Sequence, residues 1–356
     1  MEKKLPALKI GDLTVDPPII QGGMGVRVSR ANLAAAVANE GGVGVIAGVG
    51  LGKFEDLPGK KFVSVNNDAL REEIRKARTM MTKGVLGVNL MVVLSNYEEL
   101  VRTAADAGID VIISGAGLPL DLPKYIEGKD IKLVPIVSSA RALKIIAGKW
   151  KRNFKRLPDA VVVEGPKAGG HIGFDPDEVI EGRTAPLEDL ISEVVEYANT
   201  FDPKIPVIAA GGVFDGKDIS KFIKLGASGV QMGTRFVCTD ECDVHQNFKQ
   251  AYLDAKEEDL VIIKSPVGLP GRVIRNKFVE DVTKGKTTPA ACNFRCLRSC
   301  DPKKAPYCIA KALANAAEGN LDEGFVFAGS NAYRCNEIIP VKQLMDEVVA
   351  EAEASL

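Results

Sequence analysis

Histidine is the scarcest chemistry-bearing side chain here: the 356 residues hold two, His171 and His245. His171 closes the run Glu164-Gly-Pro-Lys-Ala-Gly-Gly-His171, whose glycines let a ligand approach the backbone beside an imidazole that can take or give a proton. His245 lies in the polar stretch 241–250 and reads as a solvated surface residue. Two further segments, Ala210-Gly-Gly-Val213 and Gln231-Met-Gly-Thr234, leave backbone N–H groups unshielded and suit an anion such as phosphate.

The third candidate group is thiol chemistry. Four of the seven cysteines, Cys292, Cys296, Cys300 and Cys308, fall within 17 residues. Such a cluster raises zinc or an iron–sulfur centre, although the spacing follows no standard ligand pattern. In a continuous helix Cys292 and Cys300 would stand about 12 Å apart along the axis, too far to share one centre. A break at Asp301-Pro302 would let Cys308 fold back. The favoured reading is packed or redox-sensitive thiols on one face of a lid helix, with metal left open.

Positioning these groups requires a frame, and the glycines mark it. Short Val/Ile-rich runs recur before them: Ile19 to Gln21, Val43 to Ala47, Val85 to Met91, Val111 to Ser114, Leu133 to Ser138, Ala160 to Glu164, Pro206 to Ala210 and Gly229 to Gly233. Helical segments lie between, such as Ser29 to Asn39 and Asn96 to Ala107, each with a capping residue first, and Leu187 to Thr200. Eight strand–helix repeats predict an α/β fold of the (β/α)8 TIM-barrel type over residues 1–240. Gly42-Val-Gly-Val-Ile-Ala47 fits a loose dinucleotide fingerprint, but it forms the strand itself and not a turn into a helix.

After residue 240 the repeat stops. Residues 241–330 read as a C-terminal helical lid or insertion, opening with a helix from Asp243 to Asp259 and ending in a strand and loop at Gly324 to Arg334. Residues 331–356 supply a loop and a final helix behind Pro340 that packs back on the barrel. In such barrels the C-terminal strand ends form the working face, and phosphate is commonly held after strands seven and eight. The Gly211-Gly212 and Gly233-Thr234 loops fall there.

Composition narrows the classes. Forty-six basic against 47 acidic side chains give a net charge of −1, so no global field attracts nucleic acid. The basic run from Lys149 to Arg156 reads as a solvated helix end. No run approaches the roughly 18 apolar residues of a membrane helix, and the N-terminus carries no signal-like core. These features predict a soluble, cytoplasmic protein acting on a small molecule, with no nucleic-acid or membrane partner. A homodimer is a candidate assembly.

Taken together, Gln21-Gly-Gly-Met-Gly25, Gly87-Val-Asn89, the Glu164 to Gly173 loop, Ala210-Gly-Gly212 and Gly229-Val-Gln-Met-Gly-Thr234 resemble the FMN-dependent nitronate monooxygenase (2-nitropropane dioxygenase) family, with which the flavin-dependent enoyl-ACP reductases share their motifs. The resemblance implies FMN contacts from Gly22, Gly23, Met24, Asn89, Glu164, Gly169, Gly212, Gln231, Met232, Gly233 and Thr234, with His171 facing the flavin as the catalytic residue. It implies oxidation of alkyl nitronates; the alternatives are enone reduction with NAD(P)H as electron donor, or electron transfer through a flavin and the cysteine cluster. Lys167 departs from the family pattern, which carries Glu there, and bears on substrate charge preference.

Overall fold

Eight apolar runs buried on both faces, each followed by an amphipathic helix, close into a barrel. The computed structural model describes residues 4–53, 59–288, 292 and 296–356. The parallel strands are Ile19–Gln21, Val43–Ala47, Val85–Met91, Val111–Gly115, Lys132–Val137, Val161–Glu164, Val207–Ala210 and Gly229–Met232. The eighth pairs with the first through Met232 and Gln21, which completes the ring. Each run read from the sequence is one of these strands, with ends shifted by no more than one residue.

Ile20, Val45, Ile113, Val134, Val162 and Ile208 fill the barrel interior, while Ile46, Ile112, Leu133 and Val163 face the helices. Burial on both faces explains why the strands read as continuous apolar runs with no polar alternation. Leu8, Ile10 and Val15 join the interior cluster from an antiparallel hairpin, Leu8–Ile10 with Leu13–Val15. Strands of three residues give no periodic signal, so sequence patterning misses this plug.

Local chemistry departs from expectation at the first helix. Ser29 does not cap it; the helix Ala31–Asn39 starts after Arg30. Ser29 is buried, and its hydroxyl accepts from Gln21 Nε2 and from the Met24 N–H, both at 2.9 Å. The residue thus fixes the first rim loop. At the basic run, Trp150 anchors the helix Ala140–Phe154: it is fully buried and donates to the Pro119 carbonyl at 3.0 Å.

Residues 241–330 are not wholly helical. The expected helix shortens to Gln246–Asp254, and a hairpin follows, Leu260–Lys264 with Pro270–Ile274. Two β-branched runs around a Pro/Gly turn favour that outcome. The two-residue strand Gly170–His171 adds to this hairpin through Gly271, so the cap reaches down to the rim. The strand expected near Gly324 reduces to one bridge between Val273 and Phe327. The last helix, Val341–Ser355, buries Val341, Leu344, Met345, Val348 and Ala352 and binds the helix Gly216–Lys224 through Glu351. Among the described residues no helix is long and apolar enough to cross a membrane.

Candidate active site

A cavity of about 650 Å³ opens at the C-terminal ends of the strands, roofed by the cap. That volume lies in the range of cofactor and substrate sites. Of the twelve residues singled out in the sequence, Gly22, Gly23, Met24, Asn89, Glu164, Gly169, His171, Gly212, Gln231, Gly233 and Thr234 line it. Met232 does not. Its side chain is buried in the layer between barrel and helices, because neighbours on a strand point to opposite faces, and its carbonyl accepts from the Gly22 N–H at 2.8 Å.

His171 sits at the seam of rim and cap. Its Nε2 lies 2.8 Å from the Ser265 hydroxyl, in the turn of the cap hairpin, and its ring meets Phe327 edge-on at 5.0 Å. Burial pushes its pKa down to about 4, so the imidazole is neutral at pH 7. Glu164, at the end of the sixth strand, lines the cavity, and burial pushes its pKa up to about 7. The cavity lining therefore includes a neutral imidazole and a carboxyl that is half-protonated near neutrality. Arg272 ties the loop between them: its guanidinium donates to the carbonyls of Pro166 at 2.8 Å and Ala168 at 2.6 Å.

The loops after strands seven and eight are clamped from above. Asn331 Nδ2 donates to the Gly212 carbonyl at 2.7 Å, the Gly329 N–H to Thr234 Oγ1 at 3.2 Å, and the Ser330 N–H to the Lys167 carbonyl at 3.1 Å. Gly212 has φ +108°, a region side-chain-bearing residues avoid. A Cβ on Gly169 would stand 2.6 Å from the backbone of Ala328 and Gly329, so cap and rim touch main chain to main chain. Lys167 runs along Gly212, with its Cβ 3.0 Å from where a Gly212 Cβ would be. The stem of the departing residue therefore covers the candidate phosphate loop.

Three buried polar atoms of lining residues lack a protein partner: Gln231 Oε1, Ser330 Oγ and Asn96 Nδ2. Leaving such groups unbonded costs about 1–3 kcal/mol each, which a water or polar ligand that reaches them would offset. Asn96, the expected helix cap, stands at the cap position without a side-chain cap bond and faces the cavity instead.

Sequence reasoning missed Ser265, Arg272, Phe327 and Ser330. The hairpin pattern was readable, but which rim loop it joins was not, because the pairing partners are about 100 residues apart. His245 is exposed and caps its helix, accepting from the Asn247 N–H at 3.1 Å. The cysteine segment contradicts the lid-helix reading: described residues 296–308 form turns, and the helix Ile309–Ala317 begins only after Cys308. Burial, then the neighbouring Cys308, Cys292 and Cys300, push the Cys296 thiol up to about 12. Among the described residues no three His, Cys, Asp or Glu side chains converge to hold a metal ion.

Fold and site together define a barrel enzyme with a cofactor-sized cavity at the working face. Residues 7–351 match the family model described as nitronate monooxygenase, and the chain belongs to that flavin-dependent family of oxidoreductases. It is 30% identical over 310 residues to a probable nitronate monooxygenase of Staphylococcus aureus (strain MSSA476), covering 76% of this chain and 79% of that one. It is 28% identical over 271 residues to (3aS,4S,5R,7aS)-5-hydroxy-7a-methyl-1-oxo-octahydro-1H-indene-4-carboxyl-CoA dehydrogenase of Mycobacterium tuberculosis, covering 76% of this chain and 66%, just under two thirds, of that protein. Among solved structures, FabK from Thermotoga maritima superposes with a TM-score of 0.73 at 29% identity, over 96% of this chain and 94% of that one.

Proposed function

We propose that the chain is an FMN-dependent nitronate monooxygenase acting on alkyl nitronates. The observation that carries this reading is the neutral imidazole of His171 lining the same cavity as the two glycine loops after strands seven and eight. FMN fits the residues present. Gly212, Gly233 and Thr234 would hold its phosphate, and the unpartnered Gln231 Oε1 and Ser330 Oγ, with Asn89, would bond its other polar atoms. When bound, it supplies the electron-accepting centre.

The chain's own groups do the rest. Neutral His171 can accept the α-proton of a nitroalkane, or orient an anionic nitronate, and Ser265 fixes its ring for either task. The cap hairpin and Phe327 keep bulk water from that imidazole.

A second reading, enone reduction with NAD(P)H, is favoured by the apolar wall of Leu94, Leu269, Leu313 and Phe327 and by the likeness to FabK. Anaerobic stopped-flow mixing of the flavoprotein separates them: propyl-2-nitronate is expected to reduce the flavin faster than NAD(P)H does. The reverse order would move the assignment to the reductase, and no reduction by either would overturn both.

A further inference from the structure

His171 is neutral at pH 7, so its imidazole carries a single proton, on Nδ1 or on Nε2. Which nitrogen holds it decides whether the ring offers the cavity a hydrogen-bond donor or a lone pair. The hydrogen bond at the other nitrogen makes that choice.

Both partners of that bond are held by main chain. Ser265 follows the strand Leu260–Lys264 and is 3% exposed. Its turn is closed twice: the Ser265 N–H donates to the Leu269 carbonyl at 3.1 Å, and the Gly268 N–H donates to the Ser265 carbonyl at 2.9 Å. His171 pairs with Gly271, and the Ile172 N–H beside it donates to the Pro270 carbonyl at 2.9 Å. Phe327, edge-on to the imidazole, is itself tied down by the Tyr252 hydroxyl, which donates to the Phe327 carbonyl at 2.7 Å.

Ser265 Oγ makes two hydrogen bonds among the described residues. One comes from the Val267 N–H at 3.4 Å, where the oxygen can only accept; the other joins His171 Nε2 at 2.8 Å. The hydroxyl proton therefore has one acceptor within reach, the Nε2 lone pair. Were Nε2 protonated, the buried hydroxyl would accept twice and leave its own proton unbonded, at the full desolvation cost of a buried donor. Turning the ring over would set Cε1, which has no lone pair, against the hydroxyl and strand the same proton. Ser265 thus donates, Nε2 accepts, and the ring proton resides on Nδ1. Nδ1 bonds no protein atom among the described residues, and His171 lines the cavity, so a molecule bound there is its available partner.

We infer that Ser265 is a positioning residue that fixes the Nδ1–H tautomer of His171, so that the site takes nitronate anions in preference to neutral nitroalkanes. A nitronate carries its charge on oxygen, which accepts the Nδ1–H directly. Removing the α-proton of a nitroalkane needs a lone pair at the same nitrogen, and Ser265 keeps that position protonated. The substrate preference rests on the function proposed above; the tautomer does not.

The test is nitrogen-15 magnetic resonance of flavin-bound, histidine-labelled protein at pH 7, where two-bond couplings tell a protonated ring nitrogen from a bare one. His245→Gln, at an exposed helix cap, assigns the second histidine. His171 is expected with a protonated Nδ1 and a bare Nε2. Ser265→Ala should move the proton to Nε2 or leave a mixture, and Ser265→Thr, which keeps the hydroxyl, should retain the parent pattern. A protonated Nε2 in the parent, or an unchanged pattern in Ser265→Ala, would overturn the tautomer; should that variant misfold, the parent spectrum decides alone. In anaerobic stopped-flow, propyl-2-nitronate should reduce the flavin about 10²-fold faster than 2-nitropropane at equal concentration, the usual size of a general-base contribution. Equal rates would overturn the substrate preference. Reduction by neither compound would overturn the nitronate reading and the preference with it, while the tautomer stands or falls on the spectrum.

Discussion

The rim loops and the cap deliver polar atoms to one cavity by opposite means. Rim loops leave strands buried on both faces, so their backbone is aimed by the barrel, and glycines such as Gly212 present main chain directly. The cap arrives through irregular chain, and Ser265, Cys296, Ser330 and Asn331 are each held by a few specific bonds. His171 belongs to both: a rim residue by sequence, it is paired, bonded and packed by the cap. The difference teaches that the barrel aims the glycine loops, whereas the surroundings of His171 depend on the docked cap.

The largest expected effect breaks that seam at its centre. His171→Asn should lower turnover of an alkyl nitronate about 10²-fold or more, roughly 3 kcal/mol of barrier, with flavin content unchanged. Steady-state kinetics beside flavin absorbance measures it. Wild-type turnover would show that the proton-handling group lies elsewhere.

Next comes pH. His171 falls from 6.5 to about 4 on folding, so the unfolded chain takes the proton first and this stabilisation disappears as pH falls from 6.5 toward 4. Glu164 rises from 4.5 to about 7, so its contribution is complete at low pH and disappears as pH rises through that window. Each amounts to about 3 kcal/mol, and the two slopes oppose between pH 4.5 and 6.5. In flavin-free protein, denaturant titrations of Glu164→Gln should show stability rising with pH across that window, and those of His171→Asn the reverse. Parallel slopes in the two variants would contradict the paired environment.

Arg272→Met sharpens the comparison from the cap side. Losing both bonds to the Pro166 and Ala168 carbonyls should cost about 2 kcal/mol in thermal unfolding and reduce turnover while FMN stays bound. An unchanged melting temperature and rate would mean the rim loop holds its shape without the cap. The smallest effect belongs to Lys167→Glu. Lys167 is exposed, so reversing its charge beside Gly212 should weaken FMN about fivefold, close to 1 kcal/mol, and leave riboflavin, which lacks the phosphate, unaffected. Equal weakening of both flavins would place the phosphate away from this loop.

Much of the rim was legible because a parallel strand buried on both faces leaves a run such as Val85 to Met91 that stands out from its flanks. Ser29 and Asn96 show the limit. Both have the residue type of a helix cap, yet the Ser29 hydroxyl bonds the rim loop, and Asn96 lines the cavity without a side-chain cap bond. The hairpin Leu260–Lys264 with Pro270–Ile274 had a pattern but no address.

By itself the sequence determined the eight strands, their order, the glycine loops at their ends and the one histidine facing the working face, because periodicity, turn chemistry and strand direction act over a few residues. The tertiary structure decided which atoms meet across long separations: Ser265 on His171, Arg272 on the loop before it, and Ser330 on Lys167. Those contacts follow from how the cap packs on the barrel, and packing energy depends on shape summed over many side chains, which no local spacing encodes.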